Sequence, residues 1–155
     1  MPTILAGAEG LKAHANTHLG QSDWIEMTFE TITAFADATG DQQWIHVDRE
    51  RIAKESPFGA PIAHGYLTLA LIAGRFFDVL ELQDMAMVIN YGANKVRFPS
   101  PLKEGDRYRL SMDLGDVREK AKGWHEALFH CVIQVEDSEK PACVAECVYR
   151  FLPKR

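Results

Sequence analysis

The sequence lacks the features that mark several large classes of protein. Its 17 lysine and arginine residues are outnumbered by 22 aspartate and glutamate residues, which leaves a net charge of -5. A nucleic-acid-binding surface needs clustered basic residues to displace phosphate counterions, so this balance argues against a nucleic-acid partner. Neither a G-x-G-x-x-G nor a P-loop pattern occurs, and the second half shows no crossover helices between strands. Dinucleotide and ATP chemistry on a parallel sheet is therefore excluded.

Long apolar stretches and paired cysteines are also scarce. The opening, MPTILAGAEG, has no basic region followed by an apolar run, so we expect no secretory signal. The apolar run near residue 70 is too short for a membrane span and is interrupted by Arg75. Three cysteines offer no disulfide framework and fit a reducing compartment. We expect a cytoplasmic protein with no membrane segment.

The cysteines leave a zinc site as an alternative. Cys143 and Cys147 are spaced C-x3-C, and His130 with Cys131 could complete a ligand set. Zinc knuckles are usually built on tighter turns, whereas the segment from 143 to 152 has the alternation of a β-strand. We therefore interpret the thiols as small packing groups and expect no metal site.

The residues that are present suffice for one domain. The chain has 155 residues, of which 46% are hydrophobic, enough to form a single core. We predict one domain over residues 1–155. Residues 1–23 lack clear periodicity and are interpreted as an N-terminal extension, with a possible helical turn that ends at Gly20.

The first half of the chain predicts short elements separated by turn signals. Residues 24–29 alternate as a strand does. Residues 31–39 have helical spacing, with Thr31 as a possible N-cap and Gly40 as the residue that ends the helix. The polar segment 48–55 predicts a short surface helix, which the sequence SPFGAP then ends.

The second half predicts one long helix followed by strands. The helix begins at Ile62 or His64 and runs to about Leu80, and because it is apolar on every side we expect it to be buried all round. The turn sequences SPLKEGD, EKAKG and DSEKP separate alternating segments. These predicted strands are 85–91, 93–98, 107–118, 124–136 and 142–152. One helix wrapped by a mostly antiparallel sheet is an α+β fold.

Two short phrases have the residues for chemistry. In FADATGDQQWIHVD, Asp41 and His46 lie five residues apart in a loop that follows a predicted helix end. A carboxylate and a neutral imidazole can both accept a proton from one water molecule, which is the minimal equipment for hydrating a polarised double bond. In AHGYLTLALIAG, the pair His64 and Gly65 opens the long helix, whose first N–H groups can donate to an oxyanion.

A non-catalytic interpretation of the same residues remains open at this point. Asp41 could simply cap a turn, while His46 pairs with Asp48 on the surface. His64 and Gly65 could be no more than a helix start in which glycine avoids a backbone clash.

These two phrases, with NKVRFPSPLKEGDRY at residues 94–108, resemble the MaoC-like (R)-specific enoyl-CoA hydratases, in particular the branch that includes nodulation protein N. The resemblance extends from about Trp24 to Leu152. The family motif reads aromatic, x, x, small, Gly, Asp, x, Asn, Pro, aliphatic, His. Gln43 and Trp44 stand where the family usually has Asn-Pro, and the loss of proline removes a fixed φ angle from the loop. The motif positions that match are Phe35, Thr39, Gly40, Asp41, Ile45 and His46.

The resemblance implies a fold and a reaction. The fold would be a hot-dog fold, an antiparallel sheet wrapped around a long central helix. The substrate would be a trans-2-enoyl thioester of coenzyme A, with no further cofactor. Asp41 and His46 would activate water, the Gly65 N–H would face the thioester carbonyl, and the His64 side chain would order the loop at the substrate. A homodimer is expected as well, because the sheet leaves an open edge strand near which the acyl-CoA would lie.

Four further residues are predicted to contact the substrate, namely Tyr91, Asn94, Lys95 and Arg97. Lys95 and Arg97 alternate with Val96 and Phe98, which predicts both charges on one strand face and both apolar side chains in the core. These cations suit the phosphates of coenzyme A. A solvated sheet face, or an ion pair with Asp106, explains the same pattern.

Other positions near the site have weaker support. Tyr91 and Asn94 could also line it. Some relatives carry an assisting serine on the helix, and alignment through the His-Gly pair puts Ala73 there, so that this assistance is absent or comes from Thr68.

Two other functions compete with the hydratase. A hot-dog thioesterase would use a carboxylate on the central helix, but residues 65–77 contain no aspartate or glutamate. A non-catalytic acyl-binding or partner subunit would have no need for both Asp41 and His46. The acyl chain length and the pathway are not encoded in any of these patterns.

Overall fold

The computed structural model describes residues 1–154, which form eight strands, five α-helices and a short 3-10 helix (Ala121–Gly123). The helices are α1 (Gly7–Ala13), α2 (Phe29–Thr39), α3 (Trp44–Val47), α4 (Arg49–Glu55) and α5 (Gly65–Val79). The strands are β1 (Thr3–Ala6), β2 (Thr17–Gln21), β3 (Ile25–Glu26), β4 (Leu80–Gln83), β5 (Met85–Arg97), β6 (Arg107–Glu119), β7 (His125–Val135) and β8 (Cys143–Pro153).

The main sheet is antiparallel, with the strand order β2-β6-β7-β8-β5, and β3 also pairs with β6. In β7 and β8 every second side chain is buried, so one face of the sheet forms the core and the other faces solvent. A separate parallel pair joins β1 to β4.

The long helix α5 packs its inner side against this sheet. Phe76 is fully buried, with ring centroids 5.0 Å from Phe129 of β7 and 4.6 Å from Tyr149 of β8. These spacings are typical of packed aromatic pairs. A sheet that wraps one central helix is the hot-dog architecture, so the predicted α+β fold is confirmed. The buried residues of α5 are Leu67, Thr68, Ile72, Phe76 and Val79.

The expectation that α5 is buried all round is wrong for the single chain. Tyr66 is 77% exposed and Phe77 is 58% exposed. The sheet covers only one side of the helix, because its strands form one layer on that side. The outer side of α5 is thus an apolar surface that no other described part of this chain covers.

Strand β5 forms an open edge of the main sheet. The two predicted strands at 85–91 and 93–98 are one strand, Met85–Arg97, with register shifts at Asn90/Gly92 and Asn94/Arg97. Its large apolar side chains are exposed, at 48% for Met87, 40% for Ile89 and 58% for Tyr91. A long apolar edge of this kind is a template for pairing with another chain.

Helix α2 carries the chain into the Asp41 loop. Its N-cap is Thr28, whose hydroxyl oxygen accepts the Thr31 N–H at 3.2 Å, so the assignment of Thr31 as N-cap is wrong. The predicted strand at 24–29 shortens to Ile25–Glu26, since the chain turns into the helix at Phe29. Gly40 ends the helix as predicted, with φ of 79°.

The N-terminal segment is integrated into the fold. The predicted helical turn ending at Gly20 is wrong, because α1 ends at Ala13 and Gly20 lies in β2. Residues 3–21, predicted as an extension, supply β1, α1 and β2. No helix in the described chain, residues 1–154, is long and apolar enough to cross a membrane.

The three cysteines are buried thiols without a disulfide. Burial raises the pKa of the Cys143 thiol to about 12. His130 is exposed while its neighbour Cys131 is buried, so their side chains leave β7 on opposite faces and cannot share an ion. The zinc alternative is therefore not supported, and the thiols act as packing groups.

Candidate active site

The loop that carries Asp41 begins at the left-handed turn of Gly40. The Asp41 N–H donates to the Thr39 hydroxyl at 3.4 Å, and a carboxylate oxygen of Asp41 accepts the Gln43 N–H at 3.3 Å. These contacts hold the carboxylate at the surface of the loop, where it is exposed to solvent.

The missing Asn-Pro pair does not prevent the loop from leading into a helix. Trp44 is the first residue of α3, a position that proline favours but that other residues also occupy. Gln43 has φ of -58° and ψ of 135°, which is the extended conformation required before a proline. The Arg51 guanidinium lies over the Trp44 ring, 4.3 Å from its centroid, and covers it from outside.

His46 lies on α3 and is only 5% exposed. Its Nδ1 is 2.6 Å from the carbonyl oxygen of Ile62. Because a carbonyl can only accept, Nδ1 carries the proton, and the Nε2 lone pair of the neutral ring is free to accept one. Burial lowers the pKa of His46, an effect that the Ile62 carbonyl opposes and His64 reinforces. His46 is therefore a neutral base at physiological pH.

The surface pairing of His46 with Asp48 is ruled out by these contacts. The Asp48 carboxylate instead accepts the Arg51 N–H at 2.9 Å and caps the N-terminus of α4.

Asp41, His46 and His64 form one cluster. One polar side-chain atom from each lies within 4.8 Å of the others. Two hydrogen bonds of about 2.8 Å through one oxygen span this distance, so one water molecule can contact the carboxylate and an imidazole together.

The same cluster is a candidate for a metal ion on donor types alone. The His46 and His64 rings, however, are stacked with centroids 3.7 Å apart and 22° between their planes. An ion would have to lie in the plane of each ring, about 2.0 to 2.1 Å from each nitrogen. Two stacked rings share no such point, so the geometry suits a water molecule better than a metal.

His64 is the N-cap of α5, and its own side chain makes no capping bond to the helix. The first N–H groups of a helix have no intrahelical partner, so those of Gly65 and Tyr66 are available to a ligand. Both residues line a cavity of about 590 Å³ that also contains Asp41 and His46.

Glycine at position 65 allows a close approach of the cavity wall. A Cβ added at Gly65 would lie 3.1 Å from the Phe98 ring, tighter than ordinary packing. The remaining wall is largely apolar, formed by Ile45, Phe58, Ile62, Ala63, Pro101 and Leu102.

The four predicted substrate contacts on β5 do not line this cavity within one chain. Tyr91 lies under the Arg150 guanidinium at 3.5 Å, and Asn94 faces a separate polar cavity beside Glu126 and Glu146. Phe98, the residue after the end of β5, does reach the cavity.

The charged pair on β5 also differs from its prediction. Lys95 adopts a positive φ of 51° in a bulge, which breaks the expected alternation, and Phe98 is 44% exposed rather than in the core. Lys95 forms an ion pair with Glu146 at 2.9 Å, so the proposed pairing with Asp106 is wrong. Arg97 donates to the Val96 carbonyl at 2.7 Å.

Two cavity features were missed from the sequence. The Ile62 carbonyl, which sets the His46 tautomer, is a backbone group 16 residues away and gives no side-chain signal. Phe98 was assigned to the core because of strand alternation, which the bulge before it interrupts.

Thr68 and Ala73, the two helix positions considered for an assisting hydroxyl, lie in different surroundings. Thr68 is buried and donates to the His64 carbonyl at 3.1 Å. Ala73 faces another groove of about 320 Å³, between α5 and β5.

Similarity to known proteins identifies the family of this chain. A model of the MaoC like domain matches residues 11–129. The chain is 46% identical over 142 residues to 3-hydroxyacyl-thioester dehydratase Z of Mycobacterium tuberculosis strain H37Rv, covering 92% of this chain and 93% of that protein. It is 41% identical over 139 residues to Nodulation protein N of Rhizobium meliloti strain 1021, covering 88% and 86%.

Solved structures share the fold. The R-hydratase PhaJ1 of Pseudomonas aeruginosa, in unliganded form, superposes with a TM-score of 0.66 at 23% identity, covering 88% of this chain and 83% of that one. The family model spans most of the chain and the relatives match along nearly their whole length. The protein therefore belongs to the MaoC-like dehydratase family.

Proposed function

We propose that the protein hydrates trans-2-enoyl-CoA to (R)-3-hydroxyacyl-CoA and catalyses the reverse dehydration. The observation that supports this most is the cluster of the buried His46 and the Asp41 carboxylate, which have polar atoms within 4.8 Å of each other, beside the open N-terminus of α5. The relatives point the same way, since one is named a 3-hydroxyacyl-thioester dehydratase.

The proposed reaction uses the Asp41–His46 pair twice and the Gly65 N–H once. The base of the Asp41–His46 pair accepts a proton from water while the water oxygen bonds to the β-carbon of the enoyl group. The electron pair of the double bond moves toward the thioester oxygen, where the Gly65 N–H stabilises the developing negative charge. A proton is then delivered to the α-carbon from the same pair. Because water and proton come from one loop, both add to one face.

The cavity suits an acyl thioester. Its wall beyond the Asp41–His46 pair is apolar and accommodates the carbon chain. Coenzyme A enters as part of the substrate, and the reaction needs no other cofactor. Three buried thiols without a disulfide fit a cytoplasmic site of action. The apolar cavity wall fits a role in fatty acyl metabolism.

The activity assay separates this proposal from its alternatives. Crotonyl-CoA is incubated with the protein, and the product is offered to an (S)-specific 3-hydroxyacyl-CoA dehydrogenase with NAD. We expect the enoyl absorbance to fall without formation of NADH. NADH that matches the loss of enoyl absorbance would mean an (S) product and would overturn the stereochemical assignment. Release of free thiol would identify a thioesterase, and no reaction would favour a non-catalytic acyl-binding subunit.

The role of the Gly65 N–H is tested by two substitutions at the same position. Proline is tolerated as the first residue of a helix, and His64 already has the extended backbone required before it, with φ of -57° and ψ of 144°. Gly65→Pro removes the N–H, whereas Gly65→Ala keeps it, and both add a Cβ against Phe98. We expect kcat/KM for crotonyl-CoA to be about 10²-fold lower in Gly65→Pro than in Gly65→Ala. Equal values in two folded variants would rule out this donor.

We also propose that the functional unit is a homodimer formed through β5 and the outer side of α5. Met87 and Ile89 on the open edge and Tyr66 and Phe77 on the helix are exposed large apolar side chains, and such exposure is unfavourable in water. Pairing two β5 edges across a two-fold axis covers it and makes one larger sheet. It would also bring Tyr91 and Asn94 of each chain to the interface.

The dimer proposal predicts a mass of twice the monomer by light scattering. Ile89→Lys places a charge at the proposed interface and is expected to shift the protein to monomer at low micromolar concentration. Gln21→Lys makes the same kind of change on β2 at the opposite edge of the sheet and should leave the dimer intact. A wild-type monomer, or dissociation by Gln21→Lys but not by Ile89→Lys, would contradict the proposal.

A further inference from the structure

His64 is a buried ionisable side chain that the proposed reaction does not use. It is 2% exposed, and its Nε2 lies 3.0 Å from the backbone carbonyl oxygen of Asp41. Its ring is stacked on that of His46 at 3.7 Å, and the Phe35 ring lies 5.0 Å away. One side chain thus contacts both the loop that carries Asp41 and the ring of His46.

The contacts of His64 show which of its ring nitrogens carries the proton. The Asp41 carbonyl can only accept, so Nε2 carries the proton and donates it. Nδ1 is buried and has no hydrogen-bond partner among residues 1–154. The Nδ1 lone pair therefore has no donor among the described residues, and a buried polar atom without a partner is unfavourable.

We propose that His64 is a positioning residue, which holds the Asp41 loop by its Nε2–H and fixes the His46 ring by stacking, without transferring a proton itself. This inference rests on the proposed function for its meaning in catalysis. The buried Nδ1 of His64 has no partner, which is unfavourable. A phenylalanine ring would fill the same space and would bury no polar atom. Histidine at this position is explained by the need for both a flat ring and an N–H donor.

The stacked His64 ring also affects the pKa of His46. The titratable groups that face His46 are Asp41 and His64. The His64 ring covers one face of His46 and keeps water from it, and burial is the main reason that the His46 pKa is below its ordinary value. Removing the ring should therefore raise the pKa of His46, so that it becomes protonated at a higher pH.

Two substitutions separate the two contacts. His64→Phe keeps the ring over His46 and removes the N–H donor. His64→Gln places an amide N–H near the position of Nε2 and removes the ring. In each variant the titration midpoint of His46 is measured by NMR of its ring protons, and kcat and KM for crotonyl-CoA are measured from pH 5 to pH 8.

We expect opposite patterns in the two variants. His64→Phe should lower kcat about five- to tenfold through loss of the loop contact. The His46 midpoint should rise less than in His64→Gln, because Phe keeps the burial and removes only the electrostatic effect of His64. His64→Gln should keep most of its kcat at pH 8, while the His46 midpoint and the acid limb of kcat/KM both move up toward about 6.5. A loss of kcat beyond about 10³-fold in His64→Phe would make His64 a proton-transfer residue and overturn the proposal.

The NMR measurement keeps this test independent of turnover. If the wild-type protein does not hydrate crotonyl-CoA, the proposed function fails, yet the His46 midpoint in the two variants still reports the stacking. Identical midpoints in wild type, His64→Phe and His64→Gln would overturn the positioning role even in an active hydratase. If one variant does not fold, the other still tests its own contact.

Discussion

The packing of α5 against the inner face of the sheet is the constraint on which the rest of the structure depends. Phe76 and the other buried residues of this helix fix its axis, and that axis determines where its N-terminus lies. Gly65 and His64 are thereby placed beside the loop that follows α2. Without this packing, the free N–H groups of the helix and the Asp41 carboxylate would have no common cavity.

Within that frame, backbone carbonyls control the chemistry of the two histidines. The Ile62 carbonyl fixes the proton of His46 on Nδ1, and the Asp41 carbonyl fixes that of His64 on Nε2. Burial then keeps His46 neutral, because a charged ring would lose its hydration. The exposed Asp41 carboxylate and the buried His46 ring both line the same cavity.

The sequence was sufficient for the fold and for the loop residues, but not for the contacts between them. Alternation and turn signals predicted β6 to β8, and a long apolar run predicted α5. The motif made Asp41 and His46 candidates, and the His-Gly pair that opens the helix made Gly65 one. Burial of α5 on all sides was predicted wrongly, since hydrophobicity cannot distinguish a core face of a helix from an exposed apolar face. The alternation predicted for residues 95–98 was wrong because of the bulge at Lys95. This bulge is a shift in the register of β5 with β8, which the sequence of β5 alone does not indicate. The stacking of His64 on His46 joins residues 18 positions apart and leaves no local pattern.

The central claim is that Asp41 and His46 act together on one water molecule, and a double-mutant cycle tests it most directly. The value of kcat/KM for crotonyl-CoA is measured in wild type, Asp41→Ala, His46→Ala and the double variant, each checked for folding. The account predicts a loss of about 10²-fold or more in each single variant and little further loss in the double variant. Strictly additive losses would contradict the shared water, and full activity in either single variant would remove the site assignment.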